Sequence, residues 1–127
     1  MTKTQNFYRC AHCGNIALLL INNGPPLVCC GEKMALLTPN TADASAEKHV
    51  PVARFENGVL TVNIGSMAHP MEDAHYIQYV YIATQKGGQR KPLTPGNPAE
   101  VKFAFVDDAP VTVYAYCNLH GLWAADV

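Results

Sequence analysis

Val111-Thr112-Val113-Tyr114-Ala115-Tyr116-Cys117 carries the clearest strand pattern in this sequence. Val111, Val113 and Ala115 recur at every second position, and in a β-strand such residues share one face of the sheet. The run leads into Cys117-Asn118-Leu119-His120-Gly121, where a thiol and an imidazole lie close together. A cysteine is a thiolate ligand or a nucleophile, and a histidine at this spacing can share its target. The pattern therefore predicts a half-buried strand that ends in a chemically active turn.

Three further runs have the same alternating or β-branched character. They cover residues 59–64, 76–84 and 100–106. Turn-forming residues separate the runs, at Asn57-Gly58, Gly87-Gly88, Pro95-Gly96-Asn97-Pro98 and Asp107-Asp108. Several short strands with such punctuation are typical of an antiparallel β-sandwich of the immunoglobulin type. The predicted fold class is therefore all-β, with this sandwich over residues 38–127.

Composition limits the class of protein. The 127 residues are 49% hydrophobic and 15% charged, with a formal net charge of −1. Such a chain can bury one ordinary core, and it is not basic enough for nucleic acid or an anionic membrane to be its main partner. The longest apolar run, residues 16–21, is too short to span a bilayer, and Met1-Thr2-Lys3-Thr4-Gln5-Asn6 leads into no signal core. We therefore expect a cytoplasmic protein.

Five cysteines in a cytoplasmic chain favour metal or redox chemistry over structural disulfides. Four of them lie close together, in Cys10-Ala11-His12-Cys13-Gly14 and Cys29-Cys30-Gly31. Each glycine permits a positive φ, which lets backbone N–H groups turn toward the thiolate sulfurs. Four thiolates on so short a segment suit a tetrahedral iron or zinc site.

Two alternatives for these cysteines stay open at this point. Cys10 and Cys13 could form a thioredoxin-like redox pair, although residues 16–21 and the proline-rich stretch after them predict a strand and a turn rather than a helix. Cys29 and Cys30 could form a disulfide or a buried pair. We favour the metal site because it uses all four thiols.

The cysteine-rich segment is predicted to be a small domain of its own, residues 1–37. Below about 40 residues a chain seldom folds without a metal, a disulfide or a partner, and a structural metal can supply about 10–16 kcal/mol. The apolar run 16–21 exceeds what so small a domain can bury, which indicates a dimer interface. Thr38-Pro39-Asn40 marks the boundary, and the polar stretch 41–47 is predicted to form one loose helical turn.

Four histidines outside the cysteine-rich segment form a second candidate set with Cys117. His49, His69, His75 and His120 each fall in a predicted loop or at a strand edge, and loops at one end of a sandwich can converge. Four nitrogens in a plane with an axial sulfur leave one coordination position open, as in catalytic metal sites. These ligands suit iron, copper, nickel or zinc rather than magnesium or calcium.

Four motifs follow one another along nearly the whole chain. They are Cys10-x2-Cys13 with Cys29-Cys30, Glu47-Lys48-His49-Val50-Pro51, His69-Pro70-Met71-x3-His75 and Cys117-Asn118-x-His120-Gly121. Together they resemble the desulfoferrodoxins, the two-iron superoxide reductases. The resemblance implies a small desulforedoxin-like metal-knuckle domain followed by an immunoglobulin-like sandwich, in a homodimer.

The resemblance also implies roles for individual residues. A first iron would be bound by Cys10, Cys13, Cys29 and Cys30. A second iron would have His49, His69, His75 and His120 in a plane, with Cys117 as the axial ligand. Lys48 would lie beside the open position, and Glu47 would occupy that position in the oxidised, resting iron. His12 matches no ligand position.

The activity implied by the resemblance is one-electron reduction of superoxide to hydrogen peroxide, a detoxification step under oxidative stress. Rubredoxin is the expected electron donor, and the four-cysteine iron would serve electron transfer or stability. One alternative is a non-catalytic electron carrier or zinc-stabilised binding module, in which the four histidines would have no role. A dismutase is another hypothesis, and it would also release oxygen.

Overall fold

The computed structural model describes residues 2–40 and 46–127, and for residues 46 and 47 it describes the backbone alone. The chain divides into two compact units. The smaller is Thr4–Thr38, and the larger is Pro39–Val127 together with Met1–Lys3. Within the described residues, no helix has the length and apolar character needed to cross a membrane.

The smaller unit is built from five very short strands. They are β1 (Phe7–Arg9), β2 (Ile16–Leu18), β3 (Val28–Cys29), β4 (Glu32–Lys33) and β5 (Ala35–Leu36). β1 pairs with β2 and with β5, both antiparallel, and β3 and β4 form a separate hairpin. In this segment, which is described throughout, Phe7 and Cys10 are the only buried hydrophobic side chains. So small a core cannot order the unit alone, which is consistent with a metal that does.

The larger unit is a sandwich of two antiparallel sheets. Its elements are α1 (Ala46–His49), β6 (Pro51–Glu56), β7 (Val59–Ile64), β8 (Ile77–Thr84), β9 (Gly88–Pro92), β10 (Glu100–Ala104), β11 (Pro110–Cys117) and β12 (Gly121–Asp126). One sheet has the order β10-β7-β6 and the other β12-β11-β8-β9. The first, second and fifth strands of this unit thus share one sheet, and the third, sixth and seventh share the other, as in immunoglobulin-like sandwiches. The predicted fold class is confirmed.

The core of the sandwich follows the strand alternation. Val113, Ala115 and Cys117 of β11 are fully buried on one face. The same core contains Leu60, Val62 and Ile64 of β7, Ile77, Val80 and Ile82 of β8, and Val101 and Phe103 of β10. Cys117 therefore reaches the end of a core strand with its thiol inside the protein.

The four strands that the sequence predicted in the sandwich are present, and three further strands of the sandwich were missed. β7 has the predicted bounds, and β8, β10 and β11 lie within one or two residues of theirs. β6, β9 and β12 were not predicted. Most side chains of β6 and β9 are exposed, and β12 buries three consecutive residues, so none of the three shows the alternation that marks a half-buried strand. The apolar run 16–21 is only half a strand, since β2 ends at Leu18 and Leu20 and Ile21 are exposed.

Candidate metal centres

The first candidate centre is formed by the four cysteines of the smaller unit. Their sulfur atoms all lie within 4.8 Å of one another. Cys13 Sγ is 3.6 Å from Cys29 Sγ, and Cys29 Sγ is 4.0 Å from Cys30 Sγ. Four thiolates bound to one ion at about 2.3 Å would be about 3.8 Å apart, at the corners of a tetrahedron. The donor set therefore fits a tetrahedral metal site.

Backbone N–H groups lower the pKa of one of these cysteines, and neighbouring sulfur atoms raise the pKa of another. The N–H groups of Cys13 and His12 hydrogen-bond to the sulfur of Cys10 and lower the pKa of Cys10 to about 6. The surrounding sulfurs of Cys13, Cys10 and Cys29 raise the pKa of Cys30 to about 12. Four negative charges cannot gather in this space without a cation, so metal binding would release the remaining protons.

The turn between β3 and β4 brings two adjacent cysteines to one centre. Cys30 has a φ of 53° and Gly31 a φ of 77°, and two left-handed residues are what a two-residue type I′ hairpin turn requires. Glycine adopts this conformation freely, whereas a side chain such as that of Cys30 costs on the order of 1–2 kcal/mol there. Binding of a metal by Cys29 and Cys30 would offset that strain.

Both alternative interpretations of these cysteines are wrong. Cys10 and Cys13 lie between the antiparallel strands β1 and β2, and this fully described segment has no helix after them. A strand–helix redox motif is therefore absent. Cys29 and Cys30 are both free thiols, and Cys30 is exposed, so they form neither a disulfide nor a buried pair.

The second candidate centre is a closed ring of four imidazoles in the larger unit. The centroids of neighbouring rings are 4.9 Å apart for His49 and His69, 4.7 Å for His69 and His75, 5.0 Å for His75 and His120, and 4.8 Å for His120 and His49. For a planar square with such sides, a ring nitrogen that points inward is about 2.3 Å from the centre, close to the about 2.1 Å of a zinc–histidine bond. The ring therefore has room for one metal ion.

Two nitrogen atoms of this ring are buried without a partner. In the part of the chain that the structure describes, neither Nε2 of His69 nor Nε2 of His75 has a hydrogen bond. Nδ1 of His69 is 2.7 Å from the carbonyl oxygen of Pro70. Because a carbonyl only accepts, Nδ1 carries the proton and Nε2 presents a lone pair. A buried polar atom left unpaired costs about 1–3 kcal/mol, and a metal ion would satisfy both nitrogens.

Burial also keeps these two imidazoles neutral. Desolvation lowers the pKa of His69 to about 4, although the hydrogen bond to Pro70 opposes the shift. Desolvation likewise lowers the pKa of His75, helped by repulsion from His120 and His49. Neutral imidazole is the form that binds metals, so both side chains are ready to bind at pH 7.

Cys117 places its sulfur against the ring of imidazoles. The ligand atoms of Cys117, His49, His69 and His75 all lie within 4.8 Å of one another. His120 joins them through Nδ1, which is 3.1 Å from His49 Nε2 and 3.8 Å from Cys117 Sγ. Neighbouring nitrogens in a square of bonds of about 2.1 Å would be about 3.0 Å apart, close to the His49–His120 distance. The predicted set of four imidazoles and one thiolate is therefore brought together.

Strand pairing explains why these residues meet at one end of the sandwich. His49 precedes β6, His69 follows β7, His75 precedes β8, and Cys117 and His120 flank the turn from β11 to β12. The first residue of β6 pairs with the last of β7, and the last residue of β11 pairs with the first residues of β8 and of β12. The ladders thus align these connections within each sheet, and the packing of the two sheets across the shared core brings all five side chains together.

Two side chains near this centre were not assigned a role from the sequence. The indole of Trp123 stacks on His49 with 4.7 Å between ring centroids, and its Nε1–H donates to the carbonyl of His120 at 3.2 Å. The amide of Asn118 is hydrogen-bonded to the segment that carries His75. Trp123 is the single tryptophan of the chain and Asn118 lies inside a recognised motif, but both contacts depend on tertiary pairing.

The other predicted residues occupy the surroundings of the two centres. Lys48 is exposed and directly precedes the buried His49. The side chain of Glu47 lies outside the described residues, so its role stays a prediction. His12 is at the surface of the smaller unit, where its Nε2 is 3.0 Å from a carboxylate oxygen of Glu32. This contact gives His12 no part in binding the first metal.

The fold and the two donor sets define a protein with one tetrathiolate centre and one imidazole–thiolate centre, and comparisons with known proteins agree. Family models match at residues 41–126 (desulfoferrodoxin) and 2–37 (desulfoferrodoxin, N-terminal domain). A desulfoferrodoxin of Syntrophotalea carbinolica is 43% identical over 126 residues, which is 99% of each chain. A desulfoferrodoxin homolog of Archaeoglobus fulgidus is 42% identical, over 97% of this chain and 98% of its own.

A solved structure leads to the same family. The crystal structure of the superoxide reductase from Treponema pallidum aligns with a TM-score of 0.85 and 32% identity, covering 98% of this chain and 99% of that one. The chain therefore belongs to the desulfoferrodoxin family, as its motifs predicted. It carries the donor groups of the family's two iron centres, one with four cysteines and one with four histidines and Cys117.

Proposed function

We propose that this protein is a superoxide reductase whose reaction takes place at the second centre. In this reaction each superoxide anion takes up one electron and two protons and leaves as hydrogen peroxide. The observation that carries the proposal is the closed ring of four imidazoles with the thiol of Cys117 against it. Five donors leave one coordination position for a small anion.

The ligands of both irons are part of the proposal. The first iron has Cys10, Cys13, Cys29 and Cys30 as ligands. The second iron has His49, His69, His75, His120 and Cys117. Support comes from the distances among the donor atoms and from the two buried nitrogens without partners. These are the residues that the family motifs designate in the sequence.

The chain's own groups set the conditions for the reaction. Ferrous iron bound at the second centre supplies the electron. The buried sulfur of Cys117 would bind that iron as a thiolate and would push electron density toward it, as cysteine does in thiolate-ligated haem. The exposed ammonium of Lys48 attracts the superoxide anion toward the neighbouring ring of histidines. The proposed role of Glu47 is to close the oxidised site.

The two units have separate tasks in this proposal. Residues 1–37 form the domain of the first iron, and residues 38–127 form the catalytic domain. The first iron stabilises its small domain or passes electrons on, and rubredoxin is the proposed electron donor. The family resemblance supports the choice of donor, and the scarcity of buried side chains in the smaller unit supports the stabilising role.

We propose a homodimer joined through the smaller unit. Four large hydrophobic side chains of that unit are more than half exposed, namely Leu20, Ile21, Val28 and Leu36. Their exposed fractions are 83%, 76%, 62% and 53%, high for so small a unit, and such residues favour contact with a second copy. Light scattering should give twice the chain mass, and Ile21→Asp should give a monomer.

We also propose that the protein acts in the cytoplasm, in defence against oxidative stress. All five cysteines are free thiols, although pairs of them are close enough to interact. Free cysteines persist in a reducing compartment, where they are available as metal ligands.

The proposed function is tested by metal analysis and product analysis on the anaerobically purified protein. Two irons per chain, loss of superoxide with one hydrogen peroxide formed per superoxide, and no oxygen evolution are expected. In Cys117→Ser, the thiolate-to-iron absorption of the second centre should disappear while the absorption of the first centre stays unchanged. One zinc per chain would favour the binding module, and oxygen evolution would favour a dismutase. Either result contradicts the proposal.

A further inference from the structure

Asn118 lies in the turn between two proposed ligands of the second iron, Cys117 and His120, and its side chain is half-buried. Its Oδ1 accepts a hydrogen bond from the backbone N–H of Tyr76 at 2.9 Å. Its Nδ2 donates to the carbonyl oxygen of Ala74 at 3.0 Å. The side-chain amide of Asn118 thus binds the backbone of the residue before His75 and of the residue after it.

The side-chain amide of Asn118 continues the hydrogen-bond pattern between β8 and β11 past the last backbone hydrogen bond. The pairing of β8 with β11 has an irregularity after Tyr116 and ends with Cys117 opposite Ile77. One more backbone bond follows, from the N–H of Asn118 to the carbonyl of Tyr76 at 3.2 Å. Past it, the side chain of Asn118 replaces the main chain as the partner of the segment before β8.

That segment carries His75, whose own backbone groups are already used. The N–H and C=O of His75 each form a 3.0 Å hydrogen bond with the backbone of Glu72, which closes a small hairpin. Ala74 and Tyr76 offer the remaining polar groups at this point, and Asn118 binds both of them. Two hydrogen bonds of the Asn118 side chain therefore link the segment of the Glu72–His75 hairpin to the Cys117–His120 turn.

We propose that Asn118 is a positioning residue that fixes the His75 imidazole relative to Cys117 and His120. The inference rests on the proposed function, because it assigns these three side chains to one iron. Partners of metal ligands typically change metal affinity about 10- to 100-fold when they are removed. Asn118 follows Cys117 in the chain and is hydrogen-bonded to the segment that carries His75. Its removal should therefore displace both the sulfur of Cys117 and the imidazole of His75.

The chemistry of the side chain explains why an amide is needed here. One atom must accept from an N–H and the other must donate to a carbonyl, and of the residues of this size only asparagine offers both. Asn118→Asp keeps an acceptor for Tyr76 but has no donor for Ala74. Asn118→Ala has neither. The backbone bond from residue 118 to Tyr76 is available to both variants.

The test uses the full-length, iron-loaded protein with Asn118→Ala, Asn118→Asp and a control, Asn97→Ala. Asn97 also makes a side-chain hydrogen bond, to Thr94 at 2.6 Å, but in an exposed turn. The first readout is the affinity of the second centre for ferrous iron, measured by competition with a chelator. The second is the wavelength of the thiolate-to-iron absorption after oxidation. The absorption of the first centre serves as an internal reference.

We expect Asn118→Ala to weaken iron binding at the second centre by at least about 10-fold and to shift its absorption band. Asn118→Asp should also weaken binding, because a carboxylate oxygen would face the carbonyl of Ala74 in place of the donor, and Asn97→Ala should match the wild type. The inference is overturned if Asn118→Ala keeps wild-type affinity and band, or if it lowers the melting temperature with the band unmoved. If Asn118→Ala does not fold, wild-type affinity and band in Asn118→Asp would overturn it.

The same experiment separates this inference from the proposed function. If the wild-type protein binds no iron at the histidines and Cys117, the proposed function fails. If the wild type binds iron and reduces superoxide but Asn118→Ala behaves identically, only the role of Asn118 fails.

Discussion

At the scale of single residues, the second centre is identified by buried nitrogen atoms that have no hydrogen-bond partner among the described residues. His69 shows this most clearly, because Pro70 fixes the proton on Nδ1 and leaves Nε2 buried with a free lone pair. Buried polar groups in folded proteins normally have a hydrogen-bond partner. A buried acceptor without a donor, beside a second one on His75, therefore points to an ion that both nitrogens bind.

The exposed lysine beside this centre should affect the rate of capture more than the chemistry. Lys48→Ala is expected to slow the first reaction with superoxide about two- to fivefold, because one solvated charge about 5 Å from a monoanion contributes under about 1 kcal/mol. Pulse radiolysis measures this rate directly. The dependence of the rate on ionic strength should weaken in the variant, since one attracting charge is gone.

Lys102→Ala is a matched control for Lys48, because Lys102 is also exposed but lies within β10, opposite Thr61, and not on a segment that supplies a histidine. It should leave the rate unchanged. Equal rates for Lys48→Ala and the wild type would contradict the proposed role of Lys48.

At the scale of elements, tight turns set the strand registers that bring the ligands together. β6 and β7 are joined by Asn57 and Gly58, with φ values of 52° and 77°, the pattern of a type I′ turn. This hairpin fixes Pro51 opposite Ile64 at its far end. A slip of one residue would reverse every side chain of β6 and displace the segment that carries His49.

Gly58→Ala should therefore destabilise the sandwich. A side chain at a φ of 77° costs about 1–2 kcal/mol, and for a protein of this size the melting temperature should fall by about 2–8 °C. Gly87→Ala is the control, because Gly87 lies in another hairpin, outside the positive-φ region, with open space around its Cβ position. Differential scanning calorimetry should show a loss for Gly58→Ala and little change for Gly87→Ala. The opposite order would contradict the turn assignment.

A carboxylate at the opposite end of β8 should make stability depend on pH. The buried hydroxyl of Thr84 donates to Asp108 at 2.6 Å and, with the N–H groups of Ala109 and Lys86, lowers the pKa of Asp108 below its usual value of 3.8. A carboxyl with a lowered folded-state pKa stabilises the protein above its unfolded pKa. That stabilisation is lost as the pH falls from 3.8 through the folded-state pKa.

Asp108→Asn is thus expected to melt below the wild type at neutral pH, and the difference should shrink as the solution is acidified past about pH 4. Comparing the two proteins at each pH cancels effects of metal loss that they share. Glu100→Gln, at an exposed position on β10, should show no such trend. A difference between Asp108→Asn and wild type that is constant down to pH 2 would rule out this account.

At the scale of the whole molecule, the two units differ in what holds them together. The sandwich buries a continuous core from two strands of each sheet, β7 and β10 in one and β8 and β11 in the other. The smaller unit, described throughout, buries only Phe7 and Cys10 among its hydrophobic side chains. Metal binding should therefore supply most of the stability of Thr4–Thr38 and much less of that of the sandwich.

Cys10→Ser should separate the two units experimentally. We expect it to abolish the first iron and to unfold Thr4–Thr38, while the second iron and superoxide reduction remain. Amide hydrogen exchange resolves this, because protection should be lost in β1 and β2 and kept in β8 and β11. Cys117→Ser is the reciprocal control, with the first iron kept and the thiolate of the second centre lost. Protected β1 and β2 in metal-free Cys10→Ser would contradict the dependence on metal.

Much of this molecule could be predicted from the sequence because the signals are local. Cys10 and Cys13 are close in sequence, as are Cys29 and Cys30, so spacing alone predicts a tetrathiolate site. The alternation in β7 and β11 likewise predicts strands, since each strand's buried face is visible in its own residues. β6, β9 and β12 were missed because their buried and exposed residues do not alternate.

The second centre could not be derived from local sequence alone, because its ligands lie far apart along the chain. Its motifs resemble a family's, and that resemblance named the ligands. His49 and His120 are nevertheless 71 positions apart and on different sheets, and they meet at 3.1 Å because the two sheets pack face to face over one core. The stacking of Trp123 on His49 and the hydrogen bonds of Asn118 to the His75 segment could not be predicted for the same reason. Local sequence thus determined which donor groups the protein has and where the core strands β7, β8, β10 and β11 run. Strand pairing and the packing of the two sheets decided that four imidazoles close into a ring over Cys117, because no single segment can bring them together.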